Sequence, residues 1–305
     1  MKTVHSLAAA GLFALALVGC KREAETPVAA DTPAAAVEQL VQALREDDLL
    51  RFSQLSVPPE LHRQTAEQWA LLSQELEAEA GEDEQFDQMM QTLTAPGAED
   101  QLYAQLEPML DQFDAEFAAQ LPLAVAMGSA FANQAIQANE TMTPAQKQHA
   151  TEVLGAVAGW IGTAPLGDRA KAREAIGVLT DTARRFDVDS AAELRTIGYE
   201  PMLERMSVVS EGSKRFFAVY GLDINQSLDS VRTSVGSEDG DSAVVRVQYE
   251  LLGSPVAFDM AMQRIDGGWY STDLVENARQ ALEEAPEEGA YEDADLHHDA
   301  YDDAE

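Results

Sequence analysis

The apolar residues of this chain change their period once, near residue 230, and that change limits the fold more than any single motif. Upstream, Val37, Leu40, Val41 and Leu44 stand at i, i+3, i+4 and i+7, one stripe of a 3.6-residue helix. The same period returns at Leu61, Trp69, Leu72 and Leu76, then at Phe86, Met89, Met90 and Leu93. It continues through Leu102, Leu106, Met109 or Leu110, Phe113 and Phe117, through Val153, Leu154, Val157, Trp160 and Ile161, and through Ala172, Ile176, Leu179, Ala183 and Phe186. Leu194, Ile197, Met202, Leu203 and Met206 carry it on towards a stop at Gly221. Downstream the period becomes 2: Val245, Val247, Tyr249 and Leu251 alternate with Arg246, Gln248 and Glu250, as in a strand with one face covered. Val231, Thr233 and Val235 lie before it, and Val256, Phe258, Met260 and Met262 after it, with short Gly-bearing connections that imply an antiparallel meander.

Boundary signals agree with this division. Thr32-Pro33 is a cap followed by a first-turn proline, Asp47-Asp48 breaks the first helix, and Pro58-Pro59 opens another. Thr143-Pro144-Ala145-Gln146 and Ser190-Ala191-Ala192-Glu193 read as capping boxes, and Asp168 as a helix cap. Leu121 to Ala132 is nearly all apolar but too short to cross a bilayer, so it predicts a buried core helix. The expected fold class is α+β: a predominantly helical block at 34–221, then a small antiparallel sheet of three or four strands packed on helices at 222–281. From Glu283 onward there are eleven acids and no Lys or Arg, which predicts a disordered acidic tail at 282–305.

Charge narrows the function. A net charge of −34 argues against nucleic acid, which recruits basic patches, and against a body lying on anionic headgroups. The charge is also uneven. Between Arg63 and Lys147 there are fifteen acids and no base, whereas Lys147 to Arg215 holds ten of each. That asymmetry has two readings: acidic surfaces that simply keep an exported protein soluble, or two halves lying antiparallel with complementary faces, the second crowded by Arg169, Lys171, Arg173, Arg184, Arg185 and Arg195.

The N-terminus determines compartment. Lys2 and His5 precede an apolar run from Leu7 to Val18, too short for a membrane span, and the run ends in Leu17-Val18-Gly19-Cys20. This resembles the lipobox of bacterial type II signal peptides. The resemblance implies cleavage after Gly19 (residues 1–19 removed), lipidation of Cys20, and, with Lys21 rather than an acid next, sorting to the outer membrane facing the periplasm. The inner membrane's periplasmic face is the alternative. Residues 20–33 then form an anchor and tether with a root-mean-square reach of roughly 20 Å. Cys20 is the only cysteine, so the fold must hold without disulfides.

No reactive motif accompanies this anchor. There is no HExxH, GxSxG, Walker or GxGxxG pattern, and Asp187-Val188-Asp189 lacks the remaining calcium-loop ligands. His62 and His149 each stand singly in a helical pattern. His297-His298 could take a divalent cation weakly, but adjacent rings on an acidic tail make a poor preorganised site, so neither metal nor cofactor is expected.

Two fragments, AVEQLVQALREDDL at 36–49 and Asp266-Gly267-Gly268-Trp269-Tyr270, resemble exported proteins of the nuclear transport factor two-like class. That resemblance implies helices packed on a curved sheet. The expected function is a non-enzymatic envelope lipoprotein, tied to the membrane by its N-terminal lipid, that binds or spaces an envelope protein partner. The rival places a small apolar ligand between the helices and the sheet face of Val245, Val247, Tyr249, Phe258 and Met260. An enzyme would need Arg246 and Asp259 turned inward, and the alternation turns them outward.

Overall fold

The computed structural model describes residues 30–75 and 82–283. In chain order these form α1 (Pro33–Arg45), α2 (Leu49–Ser56), α3 (Pro59–Glu75), α4 (Glu82–Thr94), α5 (Ala98–Gln112), a π-helical turn (Phe113–Phe117), α6 (Leu121–Ala138), α7 (Pro144–Ile161), α8 (Arg169–Phe186), α9 (Ala191–Thr196), α10 (Tyr199–Val219), α11 (Ile224–Asp229), β1 (Arg232–Asp239), β2 (Ser242–Leu251), β3 (Ser254–Ile265), β4 (Gly268–Ser271) and α12 (Thr272–Glu283). A helical block thus precedes a four-stranded antiparallel meander ordered β1-β2-β3-β4, the expected α+β class.

Most boundaries follow the local chemistry. The Thr32 hydroxyl accepts from Ala35 N at 3.3 Å, and the Asp48 carboxylate from Arg51 N at 2.9 Å. Thr143 and Gln146 complete both halves of their capping box, and Asp168 accepts from Ala170 N and Lys171 N. Ser190 takes Glu193 N as expected. The Glu193 carboxylate, however, accepts from Asp189 N, so the second capping box is displaced by one residue.

Pairing across β2 and β3 sets Val245 against Met260, Val247 against Phe258 and Tyr249 against Val256. Val245 and Val247 are buried with Ala36 and Val37 of α1, Met262 and Trp269. Arg246 and Asp259 pair at 3.1 Å on the opposite, outward face. The β3–β4 turn carries positive φ at both Asp266 and Gly267, which aligns the two strands' twist.

The helical block is built around α8, which packs against α4, α5 and α10. The acidic and basic segments meet in reversed order, the second reading of the charge asymmetry. Asp83 pairs with Arg195 (2.8 Å), Glu99 with Arg184 (2.6 Å), and Asp111 with Arg169 (2.6 Å), with Asp114 on the same guanidinium. Between the last two pairs, the Arg173 guanidinium lies 3.3 Å from the Tyr103 ring centroid.

The structure corrects four expectations. Two helices lie within the region read as sheet: α11 precedes β1, and β4 stops at Ser271 so that Thr272 can open α12. Val275, Ala278 and Leu282 of α12 pack with Val57, Leu61 and Tyr270, so the tail boundary at 282 falls inside a helix. A three-residue apolar pattern is too short to distinguish the two periods. Leu179 leaves its expected place in the α8 core and is exposed, because α4 and α10 flank it without closing over it.

The largest correction concerns Leu121–Ala132. The helix forms as α6, yet none of its residues is buried, and Leu123, Met127 and Phe131 are 65%, 55% and 69% exposed. Hydropathy records what a segment would gain from burial and says nothing of whether a neighbour exists. Here α6 packs on α7, with Leu121, Val125, Ala132 and Ile136 half-buried, and its other face is open.

Candidate functional site

Where α4 and α10 diverge over α8 they leave an open groove of about 380 Å³. From α4 come Phe86, Met89, Met90 and Leu93; from α8, Leu179, Ala183 and Phe186; from α10, Val209, Phe216 and Phe217. The hydroxyls in the wall, Thr182 and Ser213, donate back to Val178 O and Val209 O at 2.7 and 2.8 Å, so both are satisfied within their own helices. No titratable side chain lines the groove. Its floor depends on one glycine: a Cβ on Gly212 would lie 2.1 Å from Thr182 Oγ1, so α8 and α10 cross closely only because Gly212 has none.

The charges beside this crossing are committed to each other. Arg185 reaches Glu211 at 3.0 Å and Arg215 reaches Asp181 at 2.7 Å, clasping α8 to α10. The Arg185 bond holds the Glu211 carboxyl below its usual range. On another face of the same stretch of α8, the Arg184 fork, with the Thr180 hydroxyl, holds Glu99 down to about 2. These pairs can orient helices.

One serine does meet a histidine and a carboxylate. Ser53 Oγ lies 3.3 Å from His62 Nδ1 and 2.9 Å from Tyr199 Oη, and Glu200 Oε1 stands 3.8 Å from His62 Nε2. Burial pushes the His62 pKa down. None of these four residues lines the groove or the pocket at the sheet end. The geometry is that of a half-buried polar tie joining α2, α3 and α10.

His149 is the second partnered histidine. Its Nε2 is 3.1 Å from Tyr249 Oη, and its ring packs 4.8 Å from Phe258, centroid to centroid. Nearby, the Glu152 carboxylate accepts from Ala257 N on the open edge of β3 at 3.4 Å. Burial lowers the His149 pKa and raises that of Tyr249. Tyr249 borders an open pocket of about 310 Å³ with Glu152, Arg232 and Glu250. The rest of the sheet face considered for an apolar ligand carries α1 and Trp269.

Gly19, Cys20, Lys21, His297 and His298 lie outside the described residues. Among the described residues, no three His, Cys, Asp or Glu are grouped to hold a metal ion, and Asp187 instead ends α8 with φ 55°. The groove and the Ser53–His62 tie were not legible as sites in the sequence. The one available signal for the groove was Gly212, a glycine inside a helical pattern, which marks a close helix approach without naming the partner.

No family model, curated protein or solved structure matches the chain.

Proposed function

We propose that the protein is a non-enzymatic envelope lipoprotein, held to the membrane by acyl chains on Cys20, whose α4–α8–α10 groove seats a small apolar guest. The groove carries this reading. Its volume lies within the range of small-molecule sites, roughly 300–1,000 Å³, and its wall is apolar with satisfied hydroxyls and no titratable group. Met89, Leu179 and Phe217 stand exposed at its mouth. Methionine in such a wall adapts to guests of varied shape. The second occupant in view is an apolar segment of an envelope protein partner.

The leader supports the anchor. Leu17-Val18-Gly19-Cys20 has the lipobox pattern, and a single acyl chain binds only marginally, whereas several make attachment lasting. Lys21 favours the outer membrane, with the body facing the periplasm.

Two experiments test these parts separately. Metabolic labelling with radioactive palmitate should mark the wild type and not Cys20→Ser; equal labelling of both would end the anchor claim. For the groove, N-phenyl-1-naphthylamine, a neutral apolar fluorophore, should brighten on wild-type protein and lose that response in Met89→Lys/Leu179→Lys. Both substituted side chains are exposed, so the fold is retained. An unchanged response in the double variant would rule out the groove as the seat.

A further inference from the structure

We propose that α6 is a self-association surface, on which two copies of this chain pack antiparallel about a two-fold axis through Met127. The exposed face of α6 is self-complementary about that residue. A two-fold axis there sets Met127 against its own copy, Leu123 against Phe131, Ala124 against Ala130, and Gln120 against Gln134. All seven side chains are exposed and lie within two helical turns of Met127 on its own face. Large meets large, alanine meets alanine, and at each end one amide meets another. Such an isologous contact closes at two subunits.

Charge chooses the occupant. Between Glu116 and Glu140 there is not one charged residue, in a chain whose net charge is −34. Two copies repel over acidic surfaces, and this uncharged face is where they can approach. A bilayer suits α6 poorly. Helices that lie on membranes carry Lys and Arg on their polar side, whereas the nearest charges in sequence here are Glu116 and Glu140. No described helix is by itself long and apolar enough to span one; α6 passes that test only jointly with Ala98–Phe117, across an 85° bend.

Area agrees. The five apolar side chains of this face leave on the order of 500 Å² exposed per copy, and a standard interface uses ~800 Å² per partner, a little over half of it apolar. That is the size of the largest apolar patch on a typical monomer, and such patches are often functional. Gly128, beside the axis, meets nothing within 4 Å, so its missing side chain serves no packing inside the monomer.

Residues 21–305 retain every described residue and no cysteine, which permits a direct test. Sedimentation equilibrium at micromolar concentrations should show a monomer–dimer equilibrium. Phe131→Glu should weaken it by at least about tenfold, since it presses a carboxylate into each end of an apolar seam. Met127→Cys should form a self-disulfide under copper–phenanthroline far faster than Ser237→Cys, a control on the exposed β1 strand. Circular dichroism of each variant checks the fold, and the cysteine pair gives an answer even if Phe131→Glu misfolds. A wild type that stays monomeric, a dimer indifferent to Phe131→Glu, or equal crosslinking of the two cysteines would overturn the proposal. So would a monomer that floats with phosphatidylcholine vesicles and loses flotation in Phe131→Glu.

Discussion

Lys214 Nζ of α10 lies 2.9 Å from Asp47 Oδ1, with the two side chains only 12% and 15% exposed, at the corner between α1 and α2. Ser210 Oγ donates to the same carboxylate at 2.7 Å, and the ammonium also reaches Leu44 O. Asp47 itself sits at φ 57°, so a strained corner is held by a long-range partner. Removing one member of a buried pair strands the other. Asp47→Ala should therefore cost about 3–5 kcal/mol in urea denaturation, and adding Lys214→Met should restore much of it.

The Arg184–Glu99 pair sets an acid limit. A carboxyl held near 2 when folded, against 4.5 as its ordinary value, stabilises fully above 4.5 and loses that contribution as pH falls towards 2. Carbon-detected NMR titration should place the Glu99 midpoint near 2 in the wild type. In Arg184→Gln it should move up towards the ordinary range.

His62 and His149 act in a higher window. Burial lowers both from an ordinary 6.5, so the unfolded chain binds protons first as pH drops. Their contribution is complete above 6.5 and declines below it. The urea midpoint should fall between pH 7.5 and pH 5, more gently in the double variant His62→Gln/His149→Gln. Equal slopes for the two proteins would contradict this assignment.

Gly212→Ala forces a Cβ into Thr182 and should destabilise the protein by about 1–3 kcal/mol, read from the thermal midpoint. Thr182→Ala should recover part of the loss by removing the two nearest atoms in its way. The same glycine substitution spreads the groove floor and should alter naphthylamine binding.

What the sequence determined by itself is local. Thr32, Thr143 and Asp168 cap the helices they were read to cap, because a cap needs only a side chain and the next three amide groups. The pleat settled in the same way which side chains of β2 and β3 face outward, Arg246 and Asp259 among them. The opposed charges of 64–146 and 147–215 left two readings open, and the pairs Asp83–Arg195, Glu99–Arg184 and Asp111–Arg169 chose the antiparallel meeting. Only the tertiary structure decided which apolar faces acquire neighbours. Leu121–Ala132 reads as core and stands open, Leu179 reads as core and lines a groove, and Ser53 and His62 carry no motif yet meet Tyr199 across the fold. Hydrophobicity states a tendency to be covered. Chain topology supplies the cover, and on α6 it supplied none over the Met127 face.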